Sequence, residues 1–195
     1  MTWGGRGSLS RPGARAPAKS GVRPRRGLGL YVHIPFCASR CPYCDFATAP
    51  ARTALRTGYL DALCEEIARE GRILGRPRIR TLYVGGGTPS LLDPSEIERV
   101  ARALREAFDL RPREATVEVN PATLDRARLD AWLGLGITRM SLGAQSFDAR
   151  GLRALGRTHQ PQDSASAFVA AQRRPRRESR SHLRLAGADD ARLAA

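Results

Sequence analysis

Three cysteines close together in the chain could hold a metal centre. Cys37, Cys41 and Cys44 follow the spacing C-x3-C-x2-C. Cysteine thiolates are the usual protein ligands of iron–sulfur clusters. Because a [4Fe–4S] cluster has four irons, three thiolates leave one iron open to a substrate or a cofactor. The spacing therefore indicates a cluster with one vacant corner.

Two other uses of these thiols remain open from the residues alone. A structural zinc site normally has four protein ligands. His33 could be the fourth, but no second C-x2-C or H-x3-H pair accompanies it. Disulfides fit less well, because the chain has the composition of a protein from a reducing compartment. An odd number of clustered thiols there is more typical of metal binding or catalysis. Cys64 lies alone in a helical pattern, where we expect a small buried apolar side chain.

The residues around the cysteines resemble a known family. The stretch Y-V-H-I-P-F-C-A-S-R-C-P-Y-C-D-F is similar to the radical S-adenosylmethionine (SAM) signature, C-x3-C-x-aromatic-C, with Tyr43 as the aromatic. Its flanks look like the anaerobic coproporphyrinogen III oxidase-like group, and most like the HemW haem-chaperone branch. The oxidase branch carries a further cysteine where this chain has Phe46. The resemblance implies a [4Fe–4S] cluster held by the three cysteines, SAM, and a partial (β/α)6 barrel.

The elements that position the cysteines follow from periodicity. Strands and helices alternate four times, which predicts an α/β fold with a parallel sheet and about four β/α units. The predicted strands are Leu28–Ile34, Ile79–Val84, Ala115–Val119 and Ile137–Leu142. The predicted helices are Thr53–Leu74, one that begins after Asp93, Leu124–Leu133 and Asp148–Leu155. The buried stripe of the first helix is predicted to be Leu55, Tyr59, Leu63, Ile67 and Leu74.

Further motifs follow the strands directly, and strand ends are where sites form in such folds. On the residues alone, the glycine run before Thr88 could equally be a plain tight turn or a ligand-binding loop. Glu118 could likewise be a solvated turn residue or a site residue. The resemblance implies that Gly86, Gly87 and Thr88 hold the methionine amino group of SAM, and that Glu118 contacts SAM. It also implies that Tyr31 and Tyr43 flank SAM, and that Gln145 and Arg157 contact a second SAM or the cofactor carboxylate.

Charge divides the chain into three predicted parts. The formal net charge is +14, and residues 1–27 hold seven basic residues and no acidic one. We predict a disordered basic extension at 1–27, a radical SAM core at 28–172, and a disordered Arg-rich tail without a strand pattern at 173–195. The tail departs from the family, so a truncated or frameshifted copy is expected. Neither a secretory signal nor a membrane span is predicted.

The resemblance also implies function and partners. A haem-chaperone or haem-carrier role is the favoured interpretation, with haem or another tetrapyrrole as ligand and a flavodoxin- or ferredoxin-type electron donor. The alternatives are an oxygen-independent coproporphyrinogen III oxidase and a nonfunctional fragment. We expect a cytoplasmic protein without specific nucleic-acid binding, since no aromatic interleaving or recognition helix accompanies the basic charge.

Overall fold

A five-stranded parallel sheet organises the chain. The computed structural model describes residues 27–172 and the backbone of 184–186. The elements, in chain order, are β1 (Leu28–Ile34), β2 (Phe36–Cys37), β3 (Ala49–Pro50), α1 (Thr53–Leu74), β4 (Arg78–Gly86), α2 (Pro94–Ala107), β5 (Asp109–Val119), α3 (Arg126–Leu135), β6 (Arg139–Gly143), α4 (Ala149–Ala154), α5 (Pro161–Gln172) and β7 (Arg184–Ala186). The sheet order is β1-β4-β5-β6-β7, and all neighbouring strands are parallel. The predicted α/β fold with a parallel sheet is confirmed.

One face of the sheet carries the hydrophobic core. Alternate residues of the strands are buried there together with apolar residues of α1, α2 and α3. On β4, for example, Leu82 and Val84 are buried, whereas Tyr83 between them is half-buried. Successive strand side chains point to opposite faces, so the intervening residues lie on the other face of the sheet. Glu118 of β5 lies between two buried valines in the same way, and exposed Tyr31 of β1 precedes a buried valine.

Helix α1 has the predicted bounds but a shorter buried stripe. It ends where Gly75 adopts a left-handed conformation, with φ 69°. Leu60 and Ile67 are buried, whereas Leu55 and Leu74 are about half exposed (49% and 50%), so their placement on the buried stripe is wrong. Leu55 precedes Leu60 by five residues, about 140° around a helix of 3.6 residues per turn. Leu74 lies in the last turn, beside the helix end.

The starts of α2 and α3 depend on acidic caps. In α2 the predicted capping box forms, and the Asp93 backbone N–H donates to Glu96 Oε2 over 2.8 Å. Helix α3 begins two residues later than predicted, because Asp125 caps it by accepting the Arg128 N–H over 2.8 Å. The Arg128 side chain also pairs with Asp93, with 2.6 Å between Nη2 and Oδ1. These contacts tie the starts of the two helices together.

Three other predictions differ from the structure. Strand β5 begins at Asp109, six residues before the predicted start. Cys64 is only partly buried, because it faces a surface groove between α1 and α2. The tail prediction of no strand is wrong at 184–186, where β7 pairs with β6. An edge strand presents unpaired backbone groups to any neighbour, which explains pairing without a strong sequence pattern.

The remaining predictions about the ends fall outside the described residues. These are the disorder of the basic extension before Gly27 and of the tail on either side of β7. Among the described helices, none combines the length and apolar character needed to cross a bilayer.

Candidate iron–sulfur and SAM site

The three clustered cysteines lie on a loop that is closed at its base. Cys37 ends β2, and the short β2–β3 pair joins Cys37 to Pro50. The Ala51 N–H also donates to the Cys37 carbonyl over 3.1 Å. Within the loop, the Cys44 N–H donates to the Cys41 carbonyl over 3.1 Å. All four cysteines of the chain carry free thiols. The loop therefore presents three thiols from a fixed base.

A cavity of roughly 200 Å³ lies between this loop and the strand ends. Ten of the eleven predicted site residues line it: Cys37, Cys41, Tyr43, Cys44, Gly86, Gly87, Thr88, Glu118, Gln145 and Arg157. The parallel register explains the convergence, since the carboxyl ends of β4, β5 and β6 meet at one edge. In the described part of the chain, no group of three or more His, Cys, Asp or Glu side chains is close enough to hold a single metal ion.

Tyr31 is the predicted site residue outside the cavity lining. The residue is 55% exposed, and its ring lies beside the Tyr83 ring, with 6.0 Å between centroids and 26° between planes. Its O–H donates to His33 Nδ1 over 2.9 Å, and the His33 Nε2–H donates to the Ala47 carbonyl over 3.0 Å. Both ring nitrogens of His33 are therefore engaged, which argues against His33 as a fourth zinc ligand.

Two of the thiols have hydrogen-bond donors beside them. Thr88 Oγ1 donates to Cys37 Sγ over 3.6 Å, and Arg157 Nη1 donates to Cys41 Sγ over 3.8 Å. Burial raises the pKa of the Cys37 thiol, the nearby Cys44 and Cys41 raise it further, and Thr88 and Arg157 oppose the shift. Because metal ligands must be thiolates, the guanidinium favours the form that binds.

One N–H donor of the Arg157 guanidinium is unpaired among the residues that the structure describes. Its Nη2 donates to the Gly143 carbonyl over 3.0 Å, whereas its buried Nε has no partner within the described residues. An unpaired buried donor is costly, so a ligand acceptor at this point would stabilise the site. This donor and the three thiols are the features of the cavity that fit a bound anionic or sulfur-bridged group.

The backbone at the strand ends is unusual at two positions. Gly86 has φ 122°, which only glycine adopts readily, and Gln145 has φ 60° although it is not glycine. Such conformations cluster at functional sites, where the surrounding structure offsets their cost. Gln145 follows β6 and lines the cavity, so its strained backbone aims a neutral hydrogen-bonding side chain at the site.

Glu118 makes contacts that the sequence alone did not reveal. Its Oε1 accepts from the Tyr83 O–H over 2.7 Å, and its Oε2 accepts from the Gly86 N–H over 3.0 Å. Burial, the hydrogen bond to Glu118 and the charge of Glu118 raise the pKa of Tyr83 to about 12. Tyr83 was not predicted as a site residue. Its position on β4, on the face of the sheet opposite the core, was the sequence feature that could have indicated a site residue.

Comparison with known proteins decides the family. A model of the radical SAM superfamily matches residues 31–183, which extends beyond residue 172, the predicted end of the radical SAM core. The chain belongs to the radical SAM superfamily. Membership implies a [4Fe–4S] cluster and SAM as its cofactors.

Several of the curated relatives carry the name heme chaperone. The heme chaperone HemW of Synechocystis is 38% identical over 72% of this chain and 35% of the relative. HemW of Escherichia coli is 34% identical over 72% of this chain and 38% of the relative. A bovine mitochondrial relative, radical S-adenosyl methionine domain-containing protein 1, is 36% identical over 83% of this chain and 36% of its own length. The chain is thus a HemW-like radical SAM protein that spans little more than a third of these relatives.

A solved structure supports the barrel assignment. Coproporphyrinogen III oxidase (HemN) from Escherichia coli, a radical SAM enzyme, aligns with a TM-score of 0.68 and 33% identity. The alignment covers 75% of this chain and 34% of HemN. The prediction of an N-terminal part of a radical SAM barrel is therefore confirmed.

Proposed function

We propose that this chain binds a [4Fe–4S] cluster through Cys37, Cys41 and Cys44, and SAM in the adjoining cavity. The observation that carries the proposal is that three thiols on one closed loop face the same cavity as the motifs at three strand ends. Three protein thiolates leave a fourth iron without a protein ligand, which is the corner that SAM would occupy. When bound, the cofactors supply the one-electron cleavage of SAM.

The protein's own residues would bind and orient SAM. Gly86, Gly87 and Thr88 expose backbone close to the cavity, and Glu118 offers a carboxylate to the SAM amino group. Gln145 and the unpaired Arg157 Nε are donors for a carboxylate. Tyr43 lines the cavity mouth with 47% of its surface exposed, so its ring is available to the adenine. Tyr31 does not line the cavity, so it would flank SAM only from outside this lining.

The biological role proposed is that of a haem chaperone or carrier in the cytoplasm. The support is the likeness to heme chaperones named HemW. The ligand would be haem or another tetrapyrrole, and the electron donor a flavodoxin- or ferredoxin-type protein. The chain spans about a third of these relatives, so a role in haem transfer could depend on parts that this chain does not match. Haem binding is therefore tested separately from cofactor binding.

An oxygen-independent coproporphyrinogen III oxidase is the second candidate, and the similarity to HemN favours it. Against it, Phe46 occupies the place of the further cysteine of the oxidase branch. Phe46 lines the cavity and is 67% exposed, and its ring offers neither a thiol nor a proton. Coproporphyrinogen III, SAM and a reductant incubated anaerobically with the protein would give protoporphyrinogen only if this second candidate is correct.

Anaerobic reconstitution with iron and sulfide tests the cofactor proposal. We expect four irons and four sulfides per chain, SAM binding by equilibrium dialysis, and loss of most iron in Cys41→Ala. Cys64→Ala is the matched control, because Cys64 is a free thiol outside the cavity. Uptake of zinc instead of iron, or equal iron in the two variants, would refute the proposal. Haem binding is measured by absorbance titration of the same reconstituted protein.

A further inference from the structure

Two donors on strand β4 hold the Glu118 carboxylate. The Tyr83 O–H donates to Oε1 over 2.7 Å, and the Gly86 N–H donates to Oε2 over 3.0 Å. Because each oxygen has its own donor, rotation of the carboxylate would break both hydrogen bonds. Glu118 therefore has one preferred orientation, with the remaining lone pairs of its oxygens available toward the cavity.

The space for this arrangement exists because residue 85 is glycine. A Cβ on Gly85 would lie 2.7 Å from Tyr83 Cε1 and 3.0 Å from Glu118 Oε2. Carbon atoms in contact are about 3.5–4.0 Å apart, so the tyrosine ring and the carboxylate would have to move. Gly85 was not among the predicted site residues, and its φ is unremarkable, so close approach is the reason for glycine here.

The Tyr83 ring is held from its other side. Strand register pairs Tyr31 with Tyr83, and their rings stack at 6.0 Å and 26°. Tyr31 in turn donates to His33, which donates to the Ala47 carbonyl near the end of the cysteine loop. Side chains of two strands thus connect the cysteine loop to the carboxylate. Stacking of the two rings favours one position of the Tyr83 ring.

We propose that Tyr83 is a positioning residue that orients Glu118 for the SAM amino group, in a slot that Gly85 keeps open. This inference rests on the proposed binding of SAM. A carboxylate already held in its binding orientation loses less conformational freedom when the ligand arrives. Removal of the hydroxyl leaves Oε1 without its donor, so only the Gly86 hydrogen bond to Oε2 still opposes rotation of the carboxylate.

Tyr83→Phe removes only the hydroxyl and is the main test. We expect SAM to bind about tenfold more weakly, the effect of roughly one hydrogen bond to a charged group. Iron content should not change, because Tyr83 does not contact a thiol. Tyr59→Phe is the matched control, since the Tyr59 O–H donates over a similar 2.8 Å to the His33 carbonyl and does not touch Glu118. Gly85→Ala should weaken SAM binding as well.

A second measurement does not need SAM. The chain has four tyrosines, and ¹³Cζ labelling gives one NMR resonance for each. The Tyr83 resonance is the one that Tyr83→Phe removes. Glu118→Gln replaces a charged acceptor with a neutral amide, so we expect it to shift the Tyr83 resonance more than those of Tyr43 and Tyr59.

The outcomes separate the inference from the function on which it rests. Weaker SAM binding in Tyr83→Phe, with iron content and unfolding midpoint equal to those of Tyr59→Phe, supports the positioning role. Unchanged SAM affinity, or a Tyr83 resonance that Glu118→Gln leaves in place, overturns it. If the wild type takes up a cluster but no SAM, the proposed SAM binding fails, and the NMR shift alone then decides whether Tyr83 holds Glu118.

Discussion

Gly87→Ala should separate the cysteine loop from the sheet that supports it. A Cβ at residue 87 would lie 2.5 Å from the Pro35 carbonyl oxygen and 2.8 Å from that of Phe36. These are main-chain atoms directly before Cys37, so no side-chain rotation relieves the clash. The Gly87 N–H donates to the Ile34 carbonyl over 2.8 Å across the same contact. The backbone that leads into the loop must therefore shift.

The expected loss of stability follows from this contact. Overpacking a close-packed site costs about 1–3 kcal/mol. The Gly87 N–H and Thr88 N–H hydrogen bonds to Ile34 and Phe36 would lengthen, at about 0.5–1.5 kcal/mol each. Alanine also restricts the unfolded chain, which offsets about 0.4–1 kcal/mol. We expect the free energy of unfolding to fall by about 1–5 kcal/mol.

Urea unfolding of the apo protein and iron uptake on anaerobic reconstitution measure the effect. Gly58→Ala is the matched control, because a Cβ at Gly58 in α1 meets no atom within 4 Å. There the free energy of unfolding should rise by roughly 0.5–1 kcal/mol, as for alanine in a helix interior. If Gly87→Ala unfolds at the same urea concentration as Gly58→Ala and takes up as much iron, the reasoning about this contact is wrong.

Three further changes test other contacts. Arg157→Gln removes the positive charge beside Cys41, so the reduction potential of the reconstituted cluster should become more negative by roughly 60 mV, a tenfold change for one electron; an unchanged potential in spectroelectrochemistry contradicts this. Asp125→Ala should lower the free energy of unfolding by about 1 kcal/mol at pH 7. The Arg128 N–H holds the pKa of Asp125 below its usual value. The difference in unfolding free energy between wild type and Asp125→Ala should therefore shrink below about pH 4, where the carboxylate becomes protonated. A difference that persists at lower pH would show that the cap does not depend on the ionised carboxylate. Trp132→Ala should cost about 3–5 kcal/mol in calorimetry, because Trp132 is fully buried; a smaller loss would mean that the site collapses.

Features fixed by neighbours along the chain could be predicted from the sequence. The end of α1 follows from Gly75, and the start of α2 from the Asp93–Glu96 capping box. The cysteine spacing is local in the same sense, since a single loop carries all three thiols. Such features need only the chemistry of adjacent residues, and this is why they could be located without knowledge of the tertiary structure.

Features that depend on contacts between strands could not be predicted in this way. Tyr83 and Glu118 are 35 residues apart in sequence, and their hydrogen bond requires the register of β4 against β5. Sequence periodicity assigns each residue to a face of its strand but does not fix this register. Strand β7 is a further example, because the open edge of β6 favours pairing more than the composition of residues 184–186 does.

The same distinction explains why the cavity could be predicted although its internal contacts could not. Parallel strands place their carboxyl ends at one edge whatever their exact register, so residues that follow β4, β5 and β6 meet there. A shift of two residues would keep Glu118 at this edge and facing the same side, but it would remove the Tyr83 O–H and the Gly86 N–H from its oxygens. Convergence of site residues is therefore a property of the fold class, whereas orientation of the carboxylate depends on Tyr83 and Gly85. A variant that keeps the cluster but loses SAM affinity would separate these two levels of organisation.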